Sequence, residues 1–581
     1  MTSSKCASGC GRDVYDNANY PTNKCIFHSE KKDSAEFYEE IGNLVHSVQQ
    51  YWNAPCSFNG FVFPDCPNPR TLVEILGRSH AGIFCLDFSG AVFEGRIDLS
   101  GYHFQAGLTF ERATFKCDAL FDGSNMPLGV SFAGTTFEGL TRFVGTFFQA
   151  NANFQGAKFR QSSFESATFK GQVTFLKVFF AEPASFCKAK VAGCGVWSRS
   201  EFLDTADMSC MVFSDRALFQ DTIFHNIASF HSAKFKGEVR FDNALFREDV
   251  SFSRVSFEDH AHFAETKLAR GLNLGYASFA VLGDFSRCKI ISRVRLTWPG
   301  EGAKREPAEH QTAEVRRGIL QFKSPNFGVR GLLDIRDNML QPDCSLHLVD
   351  CDMAKVLLQG TDCRMVRFKY CRWPKVTHRQ VVGDEYRARK HFRSLRTVLV
   401  RILPFARALM NHPRLTFALM FRPKEVNWPR IITIYQELVD NCREIHDYRR
   451  VNDFDRGIFE ARRMIAKSRG RRGISDYLLL STYRSVSAYS GSLLKPVIWL
   501  VASTLAYAYF YWGNSYAIDA ETGLLSDFIK KSVQIASLNR IGFEFARANS
   551  LAVNVLIALQ VVTTTGLVAL LLFSIRRRFK H

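Results

Sequence analysis

One periodicity limits what this chain can fold into. Phe88, Phe93, Leu99, Phe104, Phe110, Phe115 and Phe121 follow one another by alternating steps of five and six residues. The same beat runs through Phe132, Phe137, Phe143, Phe148, Phe154 and Phe159, and again from Phe213 through Phe219, Phe224, Phe230, Phe235, Phe241, Phe246, Phe252, Phe257 and Phe263. A helix repeats every 3.6 residues and a strand every two, so neither sustains it. A solenoid does.

Two residues before most of these aromatics stands a small or β-branched residue, as in Ala113/Phe115, Val130/Phe132, Ala157/Phe159, Ala233/Phe235 and Val250/Phe252. In extended chain, positions i−2 and i point the same way. Each step therefore turns one small residue and one Phe inward, and Gly, Ser, Asp and Lys fill the corners. This pattern resembles the pentapeptide-repeat family, whose unit centres on Leu or Phe with Ala or Val two residues earlier. "AKFRQSSFESATF", around Phe159, Phe164 and Phe169, is a pure five-step run.

The resemblance implies a mainly β fold, a right-handed quadrilateral β-helix. Four sides give roughly 22 residues per coil and a rise of about 4.8 Å. Residues 85–296 then make about nine or ten coils, a rod of roughly 45 Å. Val191, Trp197, Phe202, Met208 and Phe213 keep the count through a weak patch. After a polar excursion over Trp298–Arg317, Leu348, Met353, Leu358, Cys363, Phe368 and Trp373 form a second, shorter set of coils. The chain divides accordingly: 1–80 as knuckle and lead-in, 81–297 as β-helix, 298–374 as insertion and further coils, 375–490 as a basic helical neck, and 491–581 as a membrane domain.

The net charge of +19 over 581 residues is heaviest between Arg387 and Arg484 and at Arg576–Lys580. Two uncharged stretches close the chain, Pro496–Trp512 and Leu551–Ile575. Both are read as transmembrane helices. Trp499, Tyr509, Tyr511, Trp512 and Tyr516 suit the interfaces, while Lys495 and Arg576–Arg578 place both termini in the cytoplasm. Between the two stretches, Leu524–Leu538 reads as an amphipathic helix, interfacial or re-entrant. In the second stretch Asn554, Gln560, Thr563 and Thr564 serve either helix–helix contact in a homo-oligomer or a pore lining. A neck beside an anionic inner leaflet gains about 1 kcal/mol per well-placed Lys or Arg. The charge thus needs no nucleic acid, for which no motif is present.

At the N terminus, Cys6 and Cys10 are followed, after a 14-residue loop, by Cys25 and His28. Two close pairs of soft or borderline donors match a structural zinc site, and a segment this small needs metal to fold. Four protein ligands leave no open position, so catalysis by this zinc is not expected. Cys56 and Cys66 are further candidate ligands. The remaining cysteines, many at inward steps, fit reduced thiols in a cytoplasm.

"CIFHSEKKDSAEFYEEI", followed by "FNGFVFPD", resembles the leader of bacterial membrane-attached pentapeptide-repeat proteins. Tyr435, Leu438, Asp447, Tyr448 and Phe454, with Glu460, Arg462 and Arg463 in partial agreement, resemble the helical segment of the same group. The resemblance implies the bacterial inner membrane. No nucleophile–base–acid set, phosphate-binding loop or dinucleotide fingerprint is present, so an enzyme is not expected. The expected function is a membrane-anchored scaffold for an unknown protein partner. The alternative is an oligomeric two-helix ion channel or permeabilising effector gated by the rod. Some pentapeptide-repeat proteins mimic DNA, but such rods must be acidic, and this one mixes Arg142, Lys158, Arg160, Lys236 and Arg240 among its acids.

Overall fold

The alternation of five and six has a backbone cause. In the computed structural model, left-handed residues recur every eleven positions from Gly90 to Gly156 and again from Ser166 to Arg287. Each sits two residues after an inward side chain, inside a five-residue step. There the amide three residues on closes a turn, as Ala91 N–H does on Phe88 O (3.1 Å) and Ala113 N–H on Phe110 O (3.0 Å). Positive φ at the third residue alone is the type II pattern. The six-residue steps have none. The interval from Gly156 to Ser166 is ten because strand Lys158–Ser163 continues unbroken round the corner. That is the pure five-step run. Early corners mostly use Gly, whereas later ones place Lys177, Lys188, Arg254 and Tyr276 in the same conformation.

The structure describes residues 12–13, 24–30, 32–49, 54–77, 83–291, 293–295, 318–327, 332–335, 344–358, 361, 363–376, 379–387, 389, 427–444, 446–513, 525–537 and 551–579. Cys6, Cys10, the 298–317 excursion and the basic run 393–410 lie outside them. The chain forms two compact units, Met1–Trp373 and Pro374–His581.

The first unit is a parallel β-solenoid. One face is a fourteen-strand ladder running from Ala54–Ser57 to Val366–Lys369. Partners sit one coil apart, as in Val130↔Ala152 and Ser131↔Asn153. Inside, like residues stack. Phe58, Phe88, Phe110, Phe132, Phe154, Phe175, Trp197, Phe219, Phe241, Phe263, Phe285 and Phe322 make one column, with successive centroids between 4.3 and 5.2 Å apart. The strand spacing sets that separation. Each buried ring contributes roughly 1.5–3 kcal/mol from burial alone. At several positions Thr or Ser replaces the small apolar residue and its hydroxyl donates to a carbonyl of the neighbouring coil, as Thr135 does to Phe110 O and Thr222 to Trp197 O, whereas the buried hydroxyls of Thr141 and Ser162 make no such bond.

The ladder begins at Ala54, within the segment read as lead-in, since Ala54–Ser57 pairs with Ile83–Asp87. The second set of coils continues the first ladder, through the pairing of Gly318–Lys323 with Cys344–Val349. Leu348, Met353, Leu358 and Cys363 are buried there. Val366, two residues before Phe368, is buried as expected, and Phe368 keeps register with the buried Leu348 but is only part-buried, because its strand is the last of the ladder. In the segment before the coils, helix α1 (Ser34–Gln49) buries Phe37, Ile41 and Val45, and a short helix α2 spans Thr71–Gly77.

The second unit is helical. After a two-stranded antiparallel pair (Lys375–Val376 with Arg379–Gln380) come α3 (Trp428–Glu444), α4 (Tyr448–Ser468), α5 (Ile474–Ser487), α6 (Leu494–Gly513), α7 (Leu525–Ala536) and α8 (Leu551–Phe579). Asp447 caps α4 by accepting from Arg450 N–H at 3.1 Å. Gly457 lets α3 approach α4, because a Cβ there would come within 2.7 Å of the Tyr435 ring. Val553–Arg576 within α8 is long and apolar enough to cross a bilayer. Among the described residues it is the one helix that meets that measure. The tyrosines and tryptophans of α6 lower its hydropathy, although Val497, Ile498, Val501 and Leu505 are exposed.

Candidate functional site

The described half of the N-terminal knuckle is compact. A turn over 26–28 brings Cys25 Sγ to 3.1 Å from His28 Nδ1, and both residues are buried. Two ligands of a tetrahedral zinc lie roughly 3.5 Å apart, so this donor pair fits one edge of such a site. Phe27 stacks on Phe61 (4.5 Å), and Arg12, two residues beyond Cys10, lies over both rings. Phe27 O accepts from Val62 N–H at 2.7 Å. Lys32 Nζ donates to Ile26 O and Val62 O, each at 2.6 Å. Burial lowers this ammonium to about 7. The knuckle is therefore stitched to the first coil and covers an edge that would otherwise expose unpaired backbone.

The other two candidate ligands do different work. Cys56 is buried in the first ladder strand, where burial raises its thiol to about 12. The Cys66 thiol meets Thr71 Oγ1 at 3.3 Å. Among the described residues no group of three or more metal-binding side chains forms. Cys6 and Cys10, which would complete the set, fall outside those residues.

On the outside of the solenoid, opposite charges pair between coils. Lys116 meets Glu94 at 3.0 Å, Arg160 meets Glu182 at 2.8 Å, Arg270 meets Glu248 at 2.9 Å and Arg287 meets Glu265 at 2.9 Å. Each partner lies 22 residues away, one coil along. Exposed pairs add little stability each. Their consequence is a stiff surface on which charges of both signs hold set positions.

Near α8, one amide organises the packing. Gln560 is buried and its Oε1 accepts from the Tyr511 hydroxyl of α6 at 2.6 Å. Its Nε2 donates to Ser532 O (2.8 Å) and Oγ (2.9 Å) of α7, and Ser532 Oγ donates to Thr504 O at 2.7 Å. Three helices thus meet on one side chain. Thr564 is buried, while Thr563 is exposed and donates to Leu559 O at 2.9 Å. Asn554 is also exposed. Thr563 also reaches the Tyr507 hydroxyl of α6 at 3.3 Å, so it joins Gln560 in contacts between α6 and α8.

The neck holds a network that spacing did not reveal. The buried Glu385 carboxylate pairs with Arg379, accepts from Arg389 Nε at 2.7 Å and accepts from the Tyr435 hydroxyl at 2.5 Å. Glu460 on α4 accepts from Arg389 (3.0 Å), Arg463 (2.8 Å) and the Tyr489 hydroxyl (2.9 Å). Burial alone would raise Glu460, but Arg463 and Arg389 outweigh it and hold the carboxyl at about 2. Tyr435, Leu438, Phe454 and Glu460, matched above as separate motif positions, are all buried in the two-helix packing of α3 and α4. The partners Arg379 and Glu385 carried no sequence signal, because they lie 56 and 50 residues from Tyr435.

A family model described as pentapeptide repeats, in nine copies, matches residues 219–267. That span contains the nine inward phenylalanines from Phe219 to Phe263. No curated protein and no solved structure matches the chain.

Proposed function

We propose that this chain is a membrane-attached pentapeptide-repeat scaffold whose solenoid docks a protein partner. The observation that carries the reading is the solenoid surface of evenly spaced, sign-mixed charges in a chain that also holds the apolar helix Val553–Arg576. Solenoids with stiff, extended faces suit protein docking. Attachment is by two spans, α6 and α8, at a bacterial inner membrane with both ends cytoplasmic. Trp499, Tyr509 and Trp512 are exposed on α6 and suit an interfacial belt.

Homo-oligomerisation is part of the proposal. An open apolar groove of about 1020 Å³ between α6 and α8 is lined mainly by large side chains such as Phe510, Leu559 and Leu567, with the small residues Ala502, Ala506 and Gly566 among them. Small residues let membrane helices approach closely. Zinc, held by Cys6, Cys10, Cys25 and His28, would fold the knuckle that covers the first coil.

The test reverses charge in two inter-coil pairs, with Arg270→Glu and Arg287→Glu, in the full-length protein. Crosslinking in cells should capture a discrete partner, and the variant should lose it with its circular dichroism unchanged. Absence of any partner crosslinked through the solenoid would overturn the scaffold reading. Carbonate extraction should leave the full chain in the membrane fraction and release a chain truncated before Leu494.

The second reading is a pore. The donors and acceptor of the Gln560 amide are already engaged with Tyr511 and Ser532 in one chain, which supports an anchor over a lining. Bilayer recording on reconstituted oligomers distinguishes the two, since only a pore carries current that Gln560→Leu alters.

A further inference from the structure

A cavity of about 530 Å³ opens in the helical unit beside the start of α6, lined by Arg379, Arg456, Arg484 and Lys495, with Glu460 and Tyr489. Four cations and one carboxylate face it. The carboxylates in contact with these cations do not balance them. Arg379 is matched by Glu385, and Arg456 lies 3.5 Å from Asp453. Glu460 is shared among Arg389, Arg463 and Arg484. Among the described ion pairs the connected set thus holds six cations (Arg379, Arg389, Arg456, Arg463, Arg484, Lys495) against Glu385, Asp453 and Glu460, a surplus of three positive charges. Counting the neighbouring Asp384 leaves two. Among the described residues Lys495 Nζ reaches a backbone acceptor, Arg484 O, at 3.5 Å.

The cavity wall is built for close approach. Ala488, Tyr489 and Ser490 are three consecutive non-glycine residues with φ of 50°, 58° and 61°. A left-handed run of this kind persists only where its surroundings hold it. Ser487 does so, its Oγ accepting from Ser490 N–H (3.0 Å) and its carbonyl from Gly491 N–H (3.0 Å). At Gly491 a Cβ would fall 1.5 Å from the Arg456 guanidinium, so the glycine lets the loop pass over that cation where it stands. The turn between α5 and α6 is bent to keep Arg456, Arg484 and Lys495 around one space.

We propose that this cavity binds a phosphomonoester dianion. Guanidinium groups present paired N–H donors that match phosphate oxygens, and the lysine adds a mobile point charge. The ligand has two sources, a soluble phosphate ester or the headgroup of an anionic lipid, because Lys495 stands in the first turn of α6, directly before its exposed apolar residues.

The test uses the full-length protein in two arms. Calorimetry in detergent measures inorganic phosphate against chloride at equal ionic strength. Native mass spectrometry from phosphatidylcholine nanodiscs, with and without phosphatidic acid, measures retained lipid. The double variant Arg484→Gln/Lys495→Gln should weaken binding by about tenfold or more. Lys495→Arg and the exposed Lys467→Gln should preserve it. Loss in the variant in the phosphate arm supports the site with a soluble ester, and loss in the lipid arm supports it with a headgroup. No saturable binding in either arm, or equal binding by wild type and double variant, overturns it. The lipid arm rests on membrane attachment and the phosphate arm does not, so failure of the attachment reading would leave the phosphate result standing.

Discussion

Gly195 makes room for Trp197. A Cβ on Gly195 would lie 2.6 Å from the far edge of the Trp197 indole, and the positions one coil either side in the same ladder are Val173 and Ala217. The single tryptophan in the ring column is thus accommodated by the loss of one methyl beside it. Its indole N–H is buried without a hydrogen-bond partner.

The two positions should therefore behave as a unit. Gly195→Ala alone overpacks the coil and costs about 1–3 kcal/mol. In a Trp197→Phe background the same change fills the space that the smaller ring vacates, and the unpaired donor is gone. The double variant should unfold at or above the wild-type temperature, with a coupling of about 1 kcal/mol or more by thermal denaturation. Additive losses would contradict the packing described.

Corner residues offer a second test. Gly134 has φ of 68°, and a β-branched residue there must take a left-handed conformation it strongly resists. Gly134→Val should cost about 1–2 kcal/mol or more. Arg254→Gly, at an equivalent corner with φ of 57°, relieves that strain at the expense of unfolded-state entropy. Its chemical-denaturation midpoint should shift little in either direction.

The neck should be acid-sensitive. Glu460 is held at about 2, against 4.5 for the free group, by Arg463 and Arg389 despite burial. A depressed carboxylate contributes stability above its unfolded value and loses it as pH falls through the folded one. Stability of the helical unit should fall between about pH 4.5 and 2, by roughly 3 kcal/mol in total. Glu460→Gln should remove this dependence. It should also destabilise the unit at neutral pH by about 3 kcal/mol, because Arg463 loses its charge partner and Arg389 keeps Glu385 alone.

Metal analysis of protein purified without chelator should find one zinc per chain. Cys25→Ala should lose it and increase proteolysis of the segment before Ala54, since the knuckle packs on the first coil through Phe27 and Lys32. Absence of zinc from the wild type would remove the metal site.

Gln560→Leu deletes the hydrogen bonds that join α6, α7 and α8. Such bonds within membrane helices are worth about 0.6–2 kcal/mol. Detergent unfolding should show a loss of that size, and Ser532→Ala a smaller one, because the Ser532 carbonyl still accepts.

The solenoid was legible because every coil repeats one local rule. A small residue and an aromatic share a side, and eleven residues return the chain to an equivalent corner, so even Trp197 and Met208 kept the phase. The apolar run of α8 was legible for the same reason, as it depends on composition along one segment. Tertiary structure decided what local rules do not carry. It put left-handed corners only in alternate steps, left Phe368 part-exposed on the last strand of the ladder, and drew Lys32 onto Val62 O to join the knuckle to the first coil. It also gathered Arg379, Glu385, Tyr435, Glu460 and Tyr489 from distant segments into one buried network. Helical periodicity says which face of α3 or α4 is apolar. It does not say which distant charges that face will bring together, because that depends on which helices pack and in what register.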